Sequence, residues 1–278
     1  MSSPWLRPKL RRLLTVRSEL AREVFAEFLG TTILIAFGDG CVAQSVLSHS
    51  TKGAFLSINF GWAFAVMFAV YISGGVSGGH VNPSISLAMF LLGRLSLLKL
   101  LLYSIAQYLG AMFGAAIVFF IYYDALNAFD GGTRTIEGPT GTAGIFSTYP
   151  QSFLSVQGGI GDQIFGTCLL ALCVLAITDP QNMGAPKGMI PFLVGLAVGA
   201  IGISYGFNCG YAINPARDLG PRIFTAIAGW GVEVFKYRNY TWFWIPIVGP
   251  YTGAILGSVV YFLLIANHWP YSPVHIEA

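Results

Sequence analysis

The chain has 278 residues, of which 55% are hydrophobic and only 10% are charged. A soluble domain carries roughly 25% charged residues, so this composition excludes an ordinary soluble domain and indicates a protein that lies in a membrane. The net charge of +3 gives no reason to expect a nucleic-acid partner, and none is predicted.

Six apolar segments along the chain are candidates for membrane helices. A transmembrane helix needs about 20 mostly apolar residues, and the segments that reach or approach this length are 25–43, 55–72, 98–122, 164–177, 189–203 and 242–265. The fourth is short, and its helix is expected to reach back through Gly159. The sequence therefore predicts an all-α integral membrane protein with six transmembrane helices, formed by one domain over residues 21–268.

Positive charge before the first span indicates the orientation of the chain. The next loop contains only Lys52, whereas six basic residues precede the span: Arg7, Lys9, Arg11, Arg12, Arg17 and Arg22. Cytoplasmic segments carry the excess of Lys and Arg, so residues 1–20 are predicted to be a cytoplasmic tail. Six spans return the second tail, residues 269–278, to the same side, and the plasma membrane is the expected location.

A polar tripeptide, Asn82-Pro83-Ser84, follows the second span and begins a further apolar stretch, residues 84–92. Asn is a preferred N-cap, and Pro suits the first turn of a helix because its missing N–H costs least there. At 1.5 Å per residue the stretch crosses about half of a 30 Å hydrocarbon core, which predicts a re-entrant half-helix. The backbone before it, residues 74–81, is expected to be irregular and to offer carbonyl acceptors to a solute.

The second half of the chain repeats the first. Residues 27–31 (Glu-Phe-Leu-Gly-Thr) correspond to residues 163–167 (Gln-Ile-Phe-Gly-Thr), and Tyr-Leu-Gly-Ala at 108–111 corresponds to Tyr-Thr-Gly-Ala at 251–254. Each half has three spans, an odd number, so the second half enters the membrane upside down. This predicts an inverted repeat, about residues 21–123 and 158–268, with the functional site near the midplane.

The counterpart of the first tripeptide is Asn214-Pro215-Ala216, which follows residues 207–213 and begins a second half-helix, residues 216–226. Half-helices that enter from opposite sides would meet at Asn82 and Asn214. Their amides, at the positive ends of two helix dipoles, would offer hydrogen bonds to an uncharged solute and repel cations and protons. Two ordinary loop turns are the alternative, which the paired placement disfavours.

Arg217 follows the second tripeptide directly. A permanent cation at membrane depth is costly unless it faces a pore and backbone carbonyls, so Arg217 is predicted to exclude cations and to donate hydrogen bonds to a hydroxyl-bearing solute. Asp218, also a candidate pore residue, lies four residues before Arg222 on the same helical face. For these two the favoured interpretation is an ion pair that positions the half-helix.

Three pairs of small residues and four cysteines have structural interpretations. Glycines four residues apart let helices approach closely and are predicted to be packing contacts: Gly110 and Gly114, Gly195 and Gly199, Gly253 and Gly257. The unmatched spacings of the cysteines predict buried free thiols rather than a disulfide or metal site: Cys41, Cys168, Cys173 and Cys209. No metal or cofactor is expected.

These motifs resemble the aquaporin family. Residues 210–222, in which Asp follows the Arg, are similar to its aquaglyceroporin branch, as are residues 141–150 and 228–231. The resemblance covers residues 20–268. It implies six transmembrane helices with two re-entrant half-helices, a homotetramer in the lipid bilayer, and passive diffusion of water, glycerol and small neutral solutes such as urea, without ions or protons.

The filter of that family, an Arg and three further residues, matches Arg217, Trp62, Gly202 and Tyr211 here. The resemblance implies that Gly202 widens the pore at a place where water-only members carry His. Trp62 and Tyr211 would then form an aromatic wall for a carbon backbone, with Arg217 opposite for the hydroxyl groups.

Two residues depart from the family pattern. Ser84 stands where Ala is common, and its hydroxyl can bond back to the helix. Tyr251 stands where glycerol-conducting members tend to carry an aliphatic residue, which slightly weakens the assignment of glycerol over water and leaves an orthodox water-selective channel as the alternative function.

Other functional classes are less compatible with the sequence. A coupled transporter would need partnered ionisable residues in its spans, and Glu27 and Asp39 are the candidates, without an evident partner set. A structural or junction protein on the same fold is a further alternative. An enzyme is not expected, because Ser, Cys and His show no arrangement around an activated nucleophile.

His80 precedes Asn82 by two residues and changes charge readily between pH 5 and 8. A membrane carboxylate usually has a partner, and Glu27 in the first span is a candidate partner for the His80 loop. Protonation of His80 would strengthen such a pair and change the pore near its inner mouth. The alternative, which the sequence favours, is a fixed structural role for His80.

Overall fold

The computed structural model describes residues 14–269 and, before them, Leu10, so most of the two predicted tails lies outside the described residues. Long helices are α1 (Glu19–Leu47), α2 (Phe55–Ser77), α4 (Leu97–Ile121), α6 (Val156–Thr178), α7 (Ile190–Tyr205) and α10 (Ile245–Leu264). Short helices are α3 (Pro83–Leu91), α5 (Tyr123–Asp130), α8 (Pro215–Ile227) and α9 (Glu233–Lys236). Two 3-10 turns, Ala143–Ile145 and Ala266–His268, complete the described elements.

Each of the six predicted spans is a helix. Five are long and apolar enough to cross a membrane, whereas α7 is a shorter apolar helix of 16 residues, or about 24 Å, less than the 30 Å of a hydrocarbon core. Helix α6 begins at Val156, so the predicted extension through Gly159 is confirmed. Helices α5 and α9 were not predicted.

The two half-helices begin at the predicted prolines. Helix α3 has 9 residues and is capped by Asn82, whose Oδ1 accepts a hydrogen bond from the N–H of Ser84 at 2.9 Å. Helix α8 has 13 residues and is capped by Asn214. The prediction of irregular backbone from residue 74 was wrong in part, because α2 continues to Ser77 and ends at Gly78, whose φ of 96° is accessible to glycine.

The inverted repeat is visible in the helix packing. Helix α1 packs on α4 in the first half, as α6 packs on α10 in the second, and each half-helix packs on the last long helix of the other half. A Cβ at Gly110 would lie 2.4 Å from the carbonyl oxygen of Phe28, and one at Gly253 would lie 2.3 Å from that of Ile164. These are matching positions of the two repeats, so the predicted glycine contacts are confirmed as close packing between helices.

The outer surface is apolar while the polar side chains lie inside, as a lipid environment requires. Phe60, Phe64 and Phe68 on α2 are each between 44% and 48% exposed, whereas Glu27 and Gln163 are fully buried. The four cysteines are free, as predicted, but only Cys209 is buried. The chain is thus a multi-pass membrane protein by its apolar helices.

Candidate functional site

The two tripeptides meet in the interior, where each asparagine binds the backbone of the other repeat. Asn82 Nδ2 donates to the carbonyl oxygen of Ile213, and Asn214 Nδ2 donates to that of Val81, both at 2.9 Å. The Oδ1 atoms cap the helices that follow. Since an amide nitrogen carries two hydrogens, each Nδ2 group retains one N–H for a solute.

The loops before the asparagines have an unusual backbone that is fixed from behind. Val81 and Ile213 have φ angles of 45° and 42°, which are rare for β-branched residues. Glu27 Oε2 accepts the N–H of Val81 at 2.7 Å, and Gln163 Oε1 accepts that of Ile213 at 3.0 Å. Matching positions of the repeats therefore hold matching loop residues in strained conformations.

His80 lies beside this anchor, but its ring does not form the pair with Glu27 that the pH-sensor hypothesis assumed. Glu27 Oε1 accepts the backbone N–H of His80 at 3.0 Å, while the ring Nδ1 lies 3.0 Å from Ser86 Oγ. Gln107 Nε2 donates to both Ser86 Oγ and Glu27 Oε2. The ring also packs edge-on against Tyr103, with centroids 5.4 Å apart. The contact between ring and carboxylate is indirect, through two side chains.

A lumen of about 290 Å³ is lined by both repeats. Part of the lining comes from the two irregular loops, with His80, Val81, Asn82, Tyr211 and Asn214 among its residues. Apolar side chains from the helices form the rest of the wall: Leu34, Val66, Val70, Ile85, Met89, Leu170, Val174, Val194 and Val198. Such a lumen offers both hydrogen bonds and apolar contact, which fits a small molecule with hydroxyl groups on a carbon backbone.

Arg217, Trp62 and Tyr211 line this lumen together. The guanidinium carbon of Arg217 lies 4.1 Å from the centroid of the Trp62 ring, and Nη1 donates to the carbonyl oxygen of Phe146 at 2.9 Å. In the part of the chain that the structure describes, neither Nε nor Nη2 of Arg217 has a hydrogen-bond acceptor, and the hydroxyl of Tyr211 is also unpartnered. The unpaired nitrogens of Arg217 are therefore free to bind a solute, whereas the Tyr211 hydroxyl is buried.

Gly202 supports this group from outside the lumen lining. A Cβ at residue 202 would lie 2.1 Å from Asn59 Oδ1 and 2.4 Å from Tyr211 Cζ. The space that the missing side chain leaves is therefore occupied by the Tyr211 ring. Gly202 therefore shapes the lumen indirectly: the absent side chain leaves room for the Tyr211 ring in the wall of the lumen, and Gly202 does not border the lumen itself.

Asp218 and Arg222 form the predicted ion pair, away from the lumen. Both are fully buried, and Arg222 Nη2 lies 2.8 Å from Asp218 Oδ1. Asp218 Oδ2 accepts the N–H of Thr148 at 2.8 Å, and Arg222 Nη2 donates to the Thr148 carbonyl at 2.7 Å. The inclusion of Asp218 among pore residues was wrong, because the pair fixes the loop at Thr148 to helix α8.

Four other tripeptide residues are buried beside the asparagines but do not line the lumen: Pro83, Ser84, Pro215 and Ala216. The hydroxyl of Ser84 has no hydrogen-bond partner among the described residues, so the expected bond back to the helix is not formed. The other departure, Tyr251, lies 3.4 Å from Tyr108 through their hydroxyl oxygens. This contact between α10 and α4 is outside the lumen lining.

Sequence reasoning missed the backbone partners of the site. The carbonyls of Val81, Ile213 and Phe146 bind the asparagines and Arg217, and backbone atoms leave no mark in the sequence. Gln163 could have been found, because it occupies the position of Glu27 in the second repeat. A contact of Asp39 with Arg217, 3.5 Å between Oδ1 and Nη1, had no such signal.

Comparisons with known proteins agree with this architecture. The model of the family described as Major intrinsic protein matches residues 15–261. The chain is 55% identical over 275 residues to Aquaporin-10 of Milnesium tardigradum, across 94% of this chain and 67% of that protein. It is 51% identical over 260 residues to Aquaporin-9 of Homo sapiens, across 94% and 88%. The solved structure of an aquaglyceroporin from Plasmodium falciparum superposes with a TM-score of 0.81 at 29% identity, over 89% of this chain and 98% of that one.

Proposed function

The chain belongs to the major intrinsic protein family, in its aquaglyceroporin branch, and on that premise we propose a mechanism for each part of its lumen. The protein is a membrane channel for water and glycerol. The observation that carries the mechanism is the group of Arg217, Trp62 and Tyr211, which presents unpaired N–H groups beside aromatic rings within one lumen.

The filter selects solutes by contacting both the hydroxyl groups and the carbon backbone of a polyol. The hydroxyl oxygens of glycerol accept hydrogen bonds from Nε and Nη2 of Arg217, and its carbon backbone lies against Trp62 and Tyr211. A solute that lacks hydroxyl or amide groups would leave the Arg217 donors without partners, which is costly in a dry site. Urea has suitable acceptors and is included in the proposal as a further solute.

The asparagine pair excludes protons and cations at the centre of the lumen. The remaining N–H of Asn82 and that of Asn214 both donate to the oxygen of a passing molecule. A water held in this way turns its own hydrogens outward, toward both ends of the lumen, which interrupts a hydrogen-bonded chain along which protons could move. The N-termini of α3 and α8 add positive dipole ends at the same depth, and these repel cations.

The oligomeric state of the channel, its membrane and the orientation of its termini are proposed from the family to which the chain belongs. Four copies form a homotetramer in the plasma membrane, each with its own lumen and with both termini in the cytoplasm. The channel domain is proposed to span residues 21–268, and the run of helices from Glu19 to Leu264 supports this proposal. Native mass spectrometry is expected to detect four copies, and a stable monomer as the sole species would contradict the tetramer.

Stopped-flow light scattering on proteoliposomes tests the function. Vesicles that contain the purified chain are expected to lose water rapidly in sucrose and to reswell rapidly in glycerol, in both cases faster than protein-free vesicles. Fast water flux without glycerol flux would identify an orthodox water channel. Absence of both fluxes would favour a structural membrane protein.

The His80 loop provides a pH prediction. Ser86 Oγ accepts from Gln107 and lies 3.0 Å from His80 Nδ1, so it can donate only to a neutral ring. Protonation makes Nδ1 a donor, so Ser86 Oγ must accept from it and turn its own hydrogen to another acceptor. Glu27 lies two side chains away in the same network. Glycerol flux is therefore expected to change between about pH 7.5 and pH 5.5, and the response is expected to vanish in His80→Ala.

The matched control for this prediction is His49→Ala, since His49 lies in the turn after α1 and does not line the lumen. Flux is measured for both variants and the wild type over the same pH series. A pH response that persists in His80→Ala would exclude His80 as the sensor and leave it a structural support for the loop.

A further inference from the structure

A second carboxylate lies behind the filter, and neither the helix packing nor the proposed mechanism uses it. Asp39, on α1, is fully buried, and neither of its carboxylate oxygens has a hydrogen-bond partner among the described residues. Buried acidic groups in membrane helices are costly and normally paired. The nearest opposite charge is Arg217, with 3.5 Å between Asp39 Oδ1 and Arg217 Nη1.

The position of Asp39 restricts what it can do. It is not part of the lumen lining, whereas Arg217 and Trp62 are. At the neighbouring residue, a Cβ on Gly38 would lie 2.2 Å from the Trp62 ring, so α1 packs directly against the ring that covers Arg217. Asp39 thus faces the guanidinium from behind while solutes face it from the lumen.

Other charges do not satisfy Asp39. The Asp218 carboxylate is occupied by Arg222 and by the N–H of Thr148. The side chain of Arg217 has one hydrogen-bond acceptor within the described chain, the carbonyl oxygen of Phe146. Among the described residues, the one ion-pair contact of Asp39 is with Arg217, and the one ion-pair contact of Arg217 is with Asp39.

We propose that Asp39 is a positioning residue for Arg217, whose ionised carboxylate holds the guanidinium against the wall and offsets its charge. The filter then keeps the arginine's hydrogen-bond donors but presents little net charge to the lumen. Neutral polyols are bound by hydrogen bonds to the positioned guanidinium. Small anions are not bound, because the filter carries little net positive charge. This inference deepens the proposed function and rests on it, because it concerns the same filter.

The variant Asp39→Asn tests the proposal, since it removes the charge and keeps the size. Water and glycerol permeabilities are measured in proteoliposomes in sodium nitrate and, at equal osmolarity, in sodium gluconate. Nitrate is small and planar, whereas gluconate is too large to enter. In Asp39→Asn, nitrate is expected to lower both permeabilities about tenfold, because uncoupling a buried charge pair leaves an unpaired cation. Wild-type permeabilities are expected to be the same in both salts.

Two further variants separate a charge effect from damage to the fold. Asp179→Asn removes another buried carboxylate, which caps the C-terminus of α6 and lies outside the lumen lining, and is expected to behave as the wild type does. In the double variant Asp39→Asn with Arg217→Val, the nitrate effect is expected to disappear, because the cation is gone. If Asp39→Asn does not assemble, Asp39→Ala carries the same expectations.

The proposal is overturned if Asp39→Asn keeps the wild-type permeabilities in both salts, or if its nitrate effect survives the loss of Arg217. Failure of the proposed function is a separate result. It would be seen as a wild-type protein that conducts water but not glycerol. In that case, nitrate inhibition of water flux in Asp39→Asn would still test the pairing of Asp39 with Arg217.

Discussion

Replacement of Asn214 by Ala is expected to abolish the conduction of both water and glycerol and to lower the free energy of unfolding by about 2–4 kcal/mol. The substitution removes the N-cap of α8 and leaves the Val81 carbonyl, buried near the midplane, without its donor. Val81 would no longer be held in its positive-φ conformation from that side. Loss of the one Asn214 amide therefore affects α8, which it caps, and also the loop that precedes α3. Flux in proteoliposomes and thermal unfolding in detergent measure the two effects.

Asn182→Ala is the matched control. Asn182 also donates through its side chain, to the hydroxyl of Tyr261 at 3.4 Å, but it lies outside the lumen lining. Its loss is expected to leave conduction unchanged. Normal flux through Asn214→Ala would show that the reciprocal asparagine contacts are dispensable and would contradict this account of the midplane.

Replacement of Gly202 by Ala is expected to lower glycerol permeability about tenfold relative to water, an effect of ~1.4 kcal/mol. The new methyl group would overlap Asn59 Oδ1 and Tyr211 Cζ, at 2.1 and 2.4 Å, and overpacking of this kind displaces side chains. Tyr211 borders the lumen, so its ring is expected to move inward. Glycerol is larger than water and would be obstructed first. The ratio of the two permeabilities is the measurement.

Gly161→Ala is the control for this substitution, because a Cβ at Gly161 would meet no atom within 4 Å. The control is expected to retain the wild-type ratio. An unchanged permeability ratio in Gly202→Ala would show that the Tyr211 ring moves away from the lumen or does not limit the passage of glycerol.

The membrane helices and the two half-helices could be predicted from local patterns. Apolar length locates the spans, and Asn followed by Pro marks a helix start, as Asn82 and Asn214 confirm. The four-residue spacing of glycines also predicted the packing contacts at Gly110 and Gly253. Local patterns failed at boundaries, since α2 continues through two glycines to Ser77. Neighbouring packing overrides the weak helix propensity of glycine there.

The contacts within the site could not be predicted in the same way. Asn82 binds a carbonyl 131 residues away, and that carbonyl belongs to the backbone, which every residue shares. Gly202 was identified only through the family resemblance, and its contact with the Tyr211 ring depends on the angle at which two segments meet. The sequence marked Asp39 only as an ionisable residue of the first span without an evident partner set, because its partner lies 178 residues further along the chain, on α8.

The most direct test of the central claim is the uptake of radiolabelled glycerol and the leak of radiolabelled sodium, measured in the same wild-type proteoliposomes. The account predicts glycerol uptake well above that of protein-free vesicles, with a sodium leak no greater than theirs. Sodium leak that rises together with glycerol uptake would contradict it, because a lumen governed by Arg217 and two opposed helix N-termini cannot pass a cation freely.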